Sequence, residues 1–265
     1  PAATFGAQRN DPMKLVSFNV NGIRASVGKG LHTTIKRLAA DIVCFQETKA
    51  TAEQVAEALK GLDEYRVHAL GAGKPGYSGT AIISKAQPES VDFGIGMPGH
   101  DDEGRVITAT FADHIIVNTY VPNSGEAMKR LAYRQTWDDA LRAYLVKLAS
   151  GKKPVIFTGD LNVAHQPIDI ARPQANYNKT SGYTQTEIDG MNALLAAGFV
   201  DTFRHKYPDT VKYSWWSQRF GAREKNVGWR IDYVLVSKGF EKKVKDAFIL
   251  NDVMGSDHCP VGIEW

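Results

Sequence analysis

The residues best placed to do chemistry lie in Val155-Ile156-Phe157-Thr158-Gly159-Asp160-Leu161-Asn162. Three apolar residues and a threonine read as a buried strand, which breaks at a glycine and delivers a carboxylate and an amide together. Loops at such strand ends carry polar groups over a rigid floor. Asp160 and Asn162 could instead serve only to turn the chain, since both residue types favour turns and helix starts. The same design recurs, however. Asn19 and Asn21 follow a strand ending at Phe18, Glu47 follows Ile42 to Phe45, and Tyr120-Val121-Pro122-Asn123 closes the strand from Ile115. Asp257-His258 opens the last strand, and Asp232 lies just inside the strand Ile231 to Val236. Repeated strand ends bearing oxygen ligands, amides or imidazole are expected to converge on one floor.

The chemistry open to such a set is narrow. No serine or cysteine sits in a nucleophile-elbow context, which disfavours acyl transfer. No HExxH and no cysteine cluster is present, so a tetrahedral zinc site is not expected. Hard oxygen ligands suit a magnesium-type ion that takes one or two carboxylates and keeps several waters. Amide and imidazole donors suit a phosphate, and a spare carboxylate suits a water. Metal-assisted phosphodiester hydrolysis uses all of these.

The elements that must position these groups follow in order. After the strand Leu15 to Phe18 comes a polar turn, then a helix with Leu31, Ile35 and Leu38 on one stripe. Ile42 to Phe45 is a second buried strand, and a short helix carries Val55 and Leu59. Strands follow at Gly79 to Ser84, Arg105 to Phe111 and Ile115 to Tyr120, joined by Pro- and Gly-rich connections. A long helix then places Trp137, Leu141, Leu145 and Leu148 on one side. Ala164 to Tyr183 is polar, irregular and long for a loop, which points to a functional segment. Thr184 and Glu187 have capping-box spacing and start a helix bearing Ile188, Met191 and Leu195. Tyr213 to Trp216, Ile231 to Val236, Val244 to Leu250 and Pro260 to Trp265 read as strands, with a basic polar loop reaching Arg230.

Short strands mixed with amphipathic helices predict an α/β fold of two packed sheets with helices outside. The alternative, a doubly wound parallel sheet, wants stricter strand–helix alternation, and the chain has no G-x-x-x-x-G-K phosphate loop.

The 265 residues are 43% hydrophobic and 23% charged, enough to bury a substantial core. A net charge of +3 permits nucleic-acid binding without arguing for it. Cys44 and Cys259 lie in apolar runs and read as buried free thiols in a reducing compartment. No apolar run approaches the roughly 20 residues that span a bilayer, and no secretion signal is recognisable. The expected location is therefore the cytoplasm. Residues 1–12 are small and polar and read as a disordered leader or expression remnant, with residues 13–265 as one domain.

The motifs carry a resemblance. Phe18-Asn19-Val20-Asn21-Gly22-Ile23-Arg24-Ala25, Gln46-Glu47-Thr48-Lys49, Gly76-Tyr77-Ser78-Gly79 and Glu103-Gly104-Arg105 come first. Gly159-Asp160-Leu161-Asn162-Val163-Ala164-His165, Asn226-Val227-Gly228-Trp229-Arg230-Ile231-Asp232-Tyr233 and Gly255-Ser256-Asp257-His258-Cys259-Pro260 follow. Together they resemble the exonuclease III type of apurinic/apyrimidinic endonuclease, within the endonuclease/exonuclease/phosphatase superfamily, from Met13 to Trp265. The resemblance implies a four-layer αββα sandwich, two mixed sheets face to face with helices outside, as in deoxyribonuclease I-like proteins.

It also implies roles. Glu47 resembles the principal magnesium carboxylate, with Asn21 nearby and Asp257 contributing or holding a second ion; Mn2+ is expected to substitute for Mg2+. Some members carry Asp where this chain has Asn21, and an amide is a weaker, uncharged ligand. Asp160 looks like the group that orients and deprotonates the attacking water, braced by Asn19. Asn162 and Tyr120 would donate to the phosphate oxygens as charge builds there. His258 would bind the same phosphate, its tautomer held by Asp232. Trp215, Trp229 and Ile231 match positions that wall a pocket for an extruded, base-less sugar, whose extrusion costs little because it stacks poorly. Trp216 and His165 are assigned to structure.

Arg24, Lys29, Tyr77, Asn123 and Asn176 would hold the DNA backbone, fixing register without reading sequence. Arg219, Arg223 and Lys225 either border the groove or form a solvated face. Ser124-Gly125-Glu126 departs from relatives with a basic residue there, so Glu126 is expected to face away from DNA.

The expected activity is magnesium-dependent incision 5′ to abasic sites in double-stranded DNA. Exonuclease, 3′-phosphatase and 3′-phosphodiesterase activity on blocked 3′ ends would come from the same site, in a monomer that is nucleoid-associated in a prokaryote. A phosphatase acting on small phosphate esters would want a basic pocket where this chain has the Trp229 region. A non-catalytic DNA-binding relative would be expected to lack Glu47, Asp160 or His258, and all are present.

Overall fold

A computed structural model describes residues 12–265, so nearly all of the expected leader lies outside the described residues. In chain order the first half comprises β1 (Lys14–Asn19), α1 (Ile23–Gly28), α2 (Leu31–Leu38), β2 (Ile42–Gln46) and α3 (Ala52–Ala58). Then come β3 (Arg66–Leu70), β4 (Thr80–Ser84), β5 (Ser90–Phe93), β6 (Val106–Thr110) and β7 (Ile115–Tyr120). The second half comprises α4 (Leu131–Ala149), β8 (Val155–Asp160), α5 (Pro173–Asn176), α6 (Gln185–Ala196) and β9 (Phe199–Asp201). It ends with α7 (Thr202–Lys206), β10 (Trp215–Trp216), β11 (Gly228–Trp229), β12 (Asp232–Ser237), β13 (Asp246–Ile249) and β14 (Val261–Glu264).

These strands form two six-stranded mixed sheets, in the orders β13-β14-β1-β2-β4-β3 and β5-β6-β7-β8-β12-β9. The parallel neighbours are β1 with β2 and β7 with β8; the other pairs within these sheets are antiparallel.

Period-two alternation sends successive side chains to opposite faces, and each face has its own core. Leu15, Ile42, Ile82, Ile116, Ile156 and Val234 meet between the sheets. Val16, Phe18, Val43 and Phe45 point outward under Ile23, Leu31, Ile35 and Val55 of α1 to α3. On the opposite side Val117, Val155, Phe157 and Leu235 lie against Trp137, Leu141 and Leu145 of α4 and Met191 of α6. The result is the four-layer sandwich, helices outside two packed sheets.

Near the carboxyl ends of β1 and β2 the inner faces turn polar. Gln46 Nε2 donates to Ser17 Oγ at 2.9 Å and to Asn118 Oδ1 at 2.7 Å, and Asn118 Nδ2 donates to the carbonyls of Phe45 and Ala81 on the other sheet. Apart from Gln46 Oε1, this layer pairs groups that burial would otherwise leave unsatisfied, and it lies beneath the site.

The Thr184–Glu187 capping box is formed at the start of α6, as its spacing predicts. Some elements differ from the sequence reading. The first helical stretch is split in two near Gly30, which sits in left-handed backbone at φ +90°. The expected strand Tyr213 to Trp216 shrinks to Trp215–Trp216, paired with Gly228–Trp229, while Ser214 divides its backbone bonds between the Trp229 carbonyl and the Cys259 N–H. Edge strands β3 and β5 are half-exposed to exposed and lack a clean apolar alternation, so their pattern is weak. Gly71 to Gly76 fits G-x-G-x-x-G but connects the antiparallel strands β3 and β4 and opens no helix, so it is not a dinucleotide loop. Among the described residues no helix is long and apolar enough to cross a membrane, and both cysteines are buried and free.

Candidate active site

Register brings the polar strand ends together. Tyr120 pairs with Asp160 across β7 and β8, and Asp160 pairs with Asp232 across β8 and β12, so the three form one row. Each shares parity with an inward-facing residue of its own strand (Ile116, Ile156 and Val234), so all three point toward the opposite sheet. There Asn19 ends β1, beside Gln46, with Glu47 one residue beyond. Gly159 makes the close approach possible: at φ +145° a Cβ would lie 1.8 Å from the Thr119 carbonyl oxygen.

The floor of the site is a hydrogen-bonded set. Asn19 Nδ2 donates to Asp160 Oδ2 at 2.9 Å, and the Asn162 backbone N–H donates to Asp160 Oδ1 at 2.9 Å. His258 Nε2 lies 3.8 Å from Asp160 Oδ2, while its Nδ1 is 2.8 Å from Asp232 Oδ2. Asp160, Asp232, Asn19 and His258 are all nearly inaccessible to solvent. Burial, and then Asp232, push the Asp160 carboxyl up to about 7, against opposing pulls from His258, Asn162 and Asn19. Burial alone would lower His258, but Asp232, Asp160 and Asp257 outweigh it and raise the imidazole to about 10. The site therefore pairs a carboxyl that changes charge near neutrality with a cationic imidazole. Tyr120 is held well above its ordinary range by burial, with Glu47 and Asp160 adding to the effect, so its phenol keeps its proton and can donate.

Beside this floor lies a second constellation. Lys49 Nζ contacts Asn21 Oδ1 at 2.6 Å and Glu47 Oε1 at 3.1 Å. Asn21 Nδ2 donates to Asp257 Oδ1 at 3.0 Å, while Trp215 Nε1 donates to Asp257 Oδ2 at 3.2 Å. These hydrogen bonds and His258 outweigh burial and hold the Asp257 carboxyl below its ordinary range. Asn21, Glu47, Lys49 and Asn162 all adopt positive φ, between 47° and 54°. Backbone in this region costs energy for residues other than glycine and concentrates at functional sites. The donor set fits a hard cation, since the Lys49 ammonium already draws the oxygens of Glu47 and Asn21 to one point.

An open cleft of about 710 Å3 rises above the floor. Trp215 and Trp229 wall it edge to face, with ring centres 5.9 Å apart, and Ile231 joins them. Thr180, Ser181 and Gly182 of the long loop close the other side. That loop is anchored by Arg230, whose buried guanidinium bonds Asp169 and Asp201.

The cleft thus gathers Glu47, Tyr120, Asn123, Asp160, Asn162, Trp215, Trp229, Ile231, Asp257 and His258, with Asn19, Asn21 and Asp232 bonded behind them. Asn123 Nδ2 donates to Asn162 Oδ1 at 3.0 Å, so it also braces the floor. Lys29 lines an adjoining groove beside Asn21 and Asp257, and Asn176 lines another beside Trp215, Trp229, Arg219 and Phe220. Arg24 is exposed on α1, and Tyr77 lies outside the cleft, its hydroxyl accepting from Arg105 and Arg130. The basic run divides: Arg219 faces the groove with Asn176, whereas Arg223 donates to the carbonyls of Asn251, Val253 and Ser256 and holds the loop before His258. Glu126 is exposed on a short turn, Trp216 is core, and His165 Nε2 pairs with Asn192 outside the cleft.

Sequence reasoning missed several contributors. Lys49 stands two residues after Glu47 in sequence, but only the fold shows it touching Asn21. Arg105 donates to the Tyr120 carbonyl at 2.8 Å and lies 4.8 Å under its ring. Ser214 Oγ accepts from the N–H groups of Ile231 and Asp232. No local signal distinguishes such residues from ordinary core polar groups.

Comparison with known proteins bears on what the cleft does. Residues 16–258 match the Endonuclease/Exonuclease/phosphatase family. The chain is 50% identical over 251 residues to the exodeoxyribonuclease of Bacillus subtilis, spanning 94% of this chain and 98% of that protein. It is 46% identical over 253 residues to the DNA repair nuclease APEX1 of Danio rerio, spanning 94% of this chain and 81% of that protein. Among solved structures, the AP endonuclease LMAP from Leishmania major superposes with a TM-score of 0.84 at 32% identity, covering 96% of this chain and 87% of that one.

Proposed function

This chain belongs to the endonuclease/exonuclease/phosphatase family, and from that premise we infer how its cleft works. It is a DNA repair nuclease. The reaction we propose is hydrolysis of the phosphodiester 5′ to an abasic site in double-stranded DNA. The same site would trim 3′ ends and 3′-phosphate or 3′-phosphodiester blocks. The observation that carries the reading is Asp160, a buried carboxylate braced by Asn19 and Asn162 and facing His258 at the base of a cleft walled by Trp215 and Trp229.

In this reading Asp160 orients a water and accepts its proton as the oxygen attacks phosphorus. A carboxyl that titrates near neutrality is matched to that task. Cationic His258, fixed by Asp232, holds a non-bridging phosphate oxygen. Tyr120 and Asn162 donate to the oxygens on which negative charge grows, and donors fixed in advance need no reorganisation as the reaction proceeds. The bond from phosphorus to the 3′ oxygen breaks, that oxygen takes a proton, and a 3′-hydroxyl remains.

Magnesium, with manganese as a substitute, would supply charge neutralisation at the phosphate and leaving oxygen. Glu47 and Asn21 would hold it, with Asp257 turning the Asn21 amide so that its oxygen faces the ion. Trp215, Trp229 and Ile231 would accept the base-less sugar and exclude nucleotides that keep their base. Asn123 in the cleft and Lys29 and Asn176 in the grooves beside it would meet the DNA backbone, with Arg24 and Tyr77 farther out. The stretch 13–265 would act as one catalytic domain and as a monomer. Its substrate would keep it with the chromosome, in the cytoplasm and at the nucleoid if the host is a prokaryote.

The test is a labelled duplex carrying one abasic analogue, incubated with Mg2+ or with a chelator. Cleavage 5′ to the lesion only in Mg2+ supports the reading. Trimming of 3′ ends alone would retain the floor and reject the Trp215–Trp229 pocket. An intact duplex that still binds would make the protein a DNA-binding relative.

A further inference from the structure

Two of the three groups proposed to hold phosphate, Tyr120 and Asn162, stand on two separate segments, and one buried side chain ties both together. Arg134, in the first turn of α4 and 3% exposed, directs its fork at the backbone beneath the cleft. Its Nη1 donates to the carbonyls of Pro122 at 3.1 Å and Asn162 at 3.2 Å, and its Nη2 donates to that of Leu161 at 2.8 Å. Its Nε donates to both oxygens of Asp138, at 2.8 and 2.9 Å. Glu187 lies 3.9 Å from Nη1 and accepts from Ser124 Oγ on one loop and Gly182 N on another.

Pro122 belongs to the segment that carries Tyr120 and Asn123, whereas Leu161 and Asn162 follow Asp160. Tyr120 and Asp160 end β7 and β8, the residues that follow them are not regular structure, and Asn162 is in left-handed backbone. Three carbonyls converging on one cation are otherwise mutually repulsive, and a buried, delocalised guanidinium satisfies them in fixed directions as no ammonium can. The bonds made on the cleft side, Asn123 Nδ2 to Asn162 Oδ1 and Asn162 Nδ2 to the Val121 carbonyl, span the same two loops. Arg134 below and Asn162 above thus clamp the loops from both sides.

We propose that Arg134 is a positioning residue for the nuclease reaction: its guanidinium sets Asn162, Asn123 and the Asp160 carboxylate in their relative places without touching the substrate. The inference rests on the nuclease reading, so cleavage by the wild-type protein is checked first, and its absence would count against that reading and not against the clamp. Misplacement of reacting groups by about 1 Å costs about 10²-fold in rate.

Two variants separate positioning from stability. Arg134→Lys keeps the charge beside Asp138 but loses the fork, whereas Asp138→Asn removes the ion pair yet keeps an oxygen for Arg134 Nε. Arg134→Lys should lower kcat on the abasic duplex by about 10²-fold with Kd for that duplex nearly unchanged. It should also speed hydrogen exchange at the Asn162 amide, which donates to Asp160 at 2.9 Å. Asp138→Asn should lower the Tm but leave kcat and that exchange rate close to wild type. Where Arg134→Lys does not fold, the charge-neutral pair Arg134→Met with Asp138→Leu leaves no unpaired Asp carboxylate and should show the same loss of kcat. A folded Arg134 variant with wild-type kcat and wild-type exchange at Asn162 overturns the proposal. So does a loss of kcat in Asp138→Asn as large as in Arg134→Lys.

Discussion

Asn19 Nδ2 donates to Asp160 Oδ2 at 2.9 Å, a bond that joins the two sheets across 141 residues of sequence. Both residues end central strands and both point inward, so the bond forms only if the sheets pack at one depth and one register. It leaves Asp160 with a fixed orientation, one oxygen taken by Asn19 and the other by the Asn162 N–H. A carboxylate so held has little freedom to lose when it takes up a water.

Replacing that carboxylate should therefore remove the chemistry and spare the binding. Asp160→Asn should reduce single-turnover cleavage of an abasic duplex by about 10²–10⁴-fold, the range a general base supplies. Affinity for the duplex, measured by fluorescence anisotropy in chelator, should stay close to wild type. An Asp160→Asn protein that cleaves at an undiminished rate would assign the proton to another group.

The pH dependence follows from the same pair. As the proposed base, Asp160 acts only when ionised, and its carboxyl is raised from 3.8 to about 7, so log kcat/KM should climb as pH rises through about 7. His258, raised from 6.5 to about 10, must stay protonated, so activity should fall only above that. For stability the signs differ from activity. A carboxyl raised on folding contributes stability that is lost as pH rises through its folded value, a loss that wild type suffers and Asp160→Asn does not. The Tm difference, variant minus wild type, should be more positive at about pH 8 than at about pH 5, on top of a constant loss from the acceptor that Asn19 or Asn162 no longer finds. Calorimetry at the two pH values checks the sign.

The aromatic wall should matter for one substrate more than another. Trp229→Ala removes half of the edge-to-face pair that borders the cleft. Trp229 is half-buried and would be covered by the bound sugar, and truncating an aromatic anchor desolvated in a complex typically costs 2 kcal/mol or more, or about 30-fold. Abasic incision should fall by about that factor while removal of a 3′-phosphate changes little, a ratio measurable on two duplexes in parallel. Equal losses on both would make Trp229 a structural residue.

Metal affinity should respond to the groups bonded around Glu47 and Asn21. Asp257 accepts from Asn21 Nδ2 and so decides which way the amide oxygen points. Asp257→Ala should weaken Mn2+ binding by about 10–100-fold, as loss of an outer partner commonly does. Lys49→Met should tighten it, because the ammonium now contacts the oxygens of both Glu47 and Asn21. Electron paramagnetic resonance of Mn2+ reads both without relying on turnover, and unchanged binding in the two variants would move the metal elsewhere.

What the sequence by itself determined is local in origin. The apolar runs at Leu15, Ile42, Ile115 and Val155 specify strands, the Thr184–Glu187 spacing specifies a helix start, and Asn19, Glu47, Tyr120, Asp160 and His258 fall at or beside strand ends by simple counting. Those patterns, with the family motifs, were enough to name the sandwich and most of the groups that meet in the cleft.

The tertiary structure decided everything that depends on which strand lies beside which. Pairing put Tyr120, Asp160 and Asp232 in one row, and packing of the sheets brought Asn19 to Asp160. It also gave Lys49 its place between Glu47 and Asn21, turned Asp257 toward the Asn21 amide, and sent Arg134 from the outer helix layer to the carbonyls under Asn162. A period-two pattern records which face a side chain takes; it holds no record of the neighbour across the sheet, because that contact is closed by register and packing over a hundred residues away.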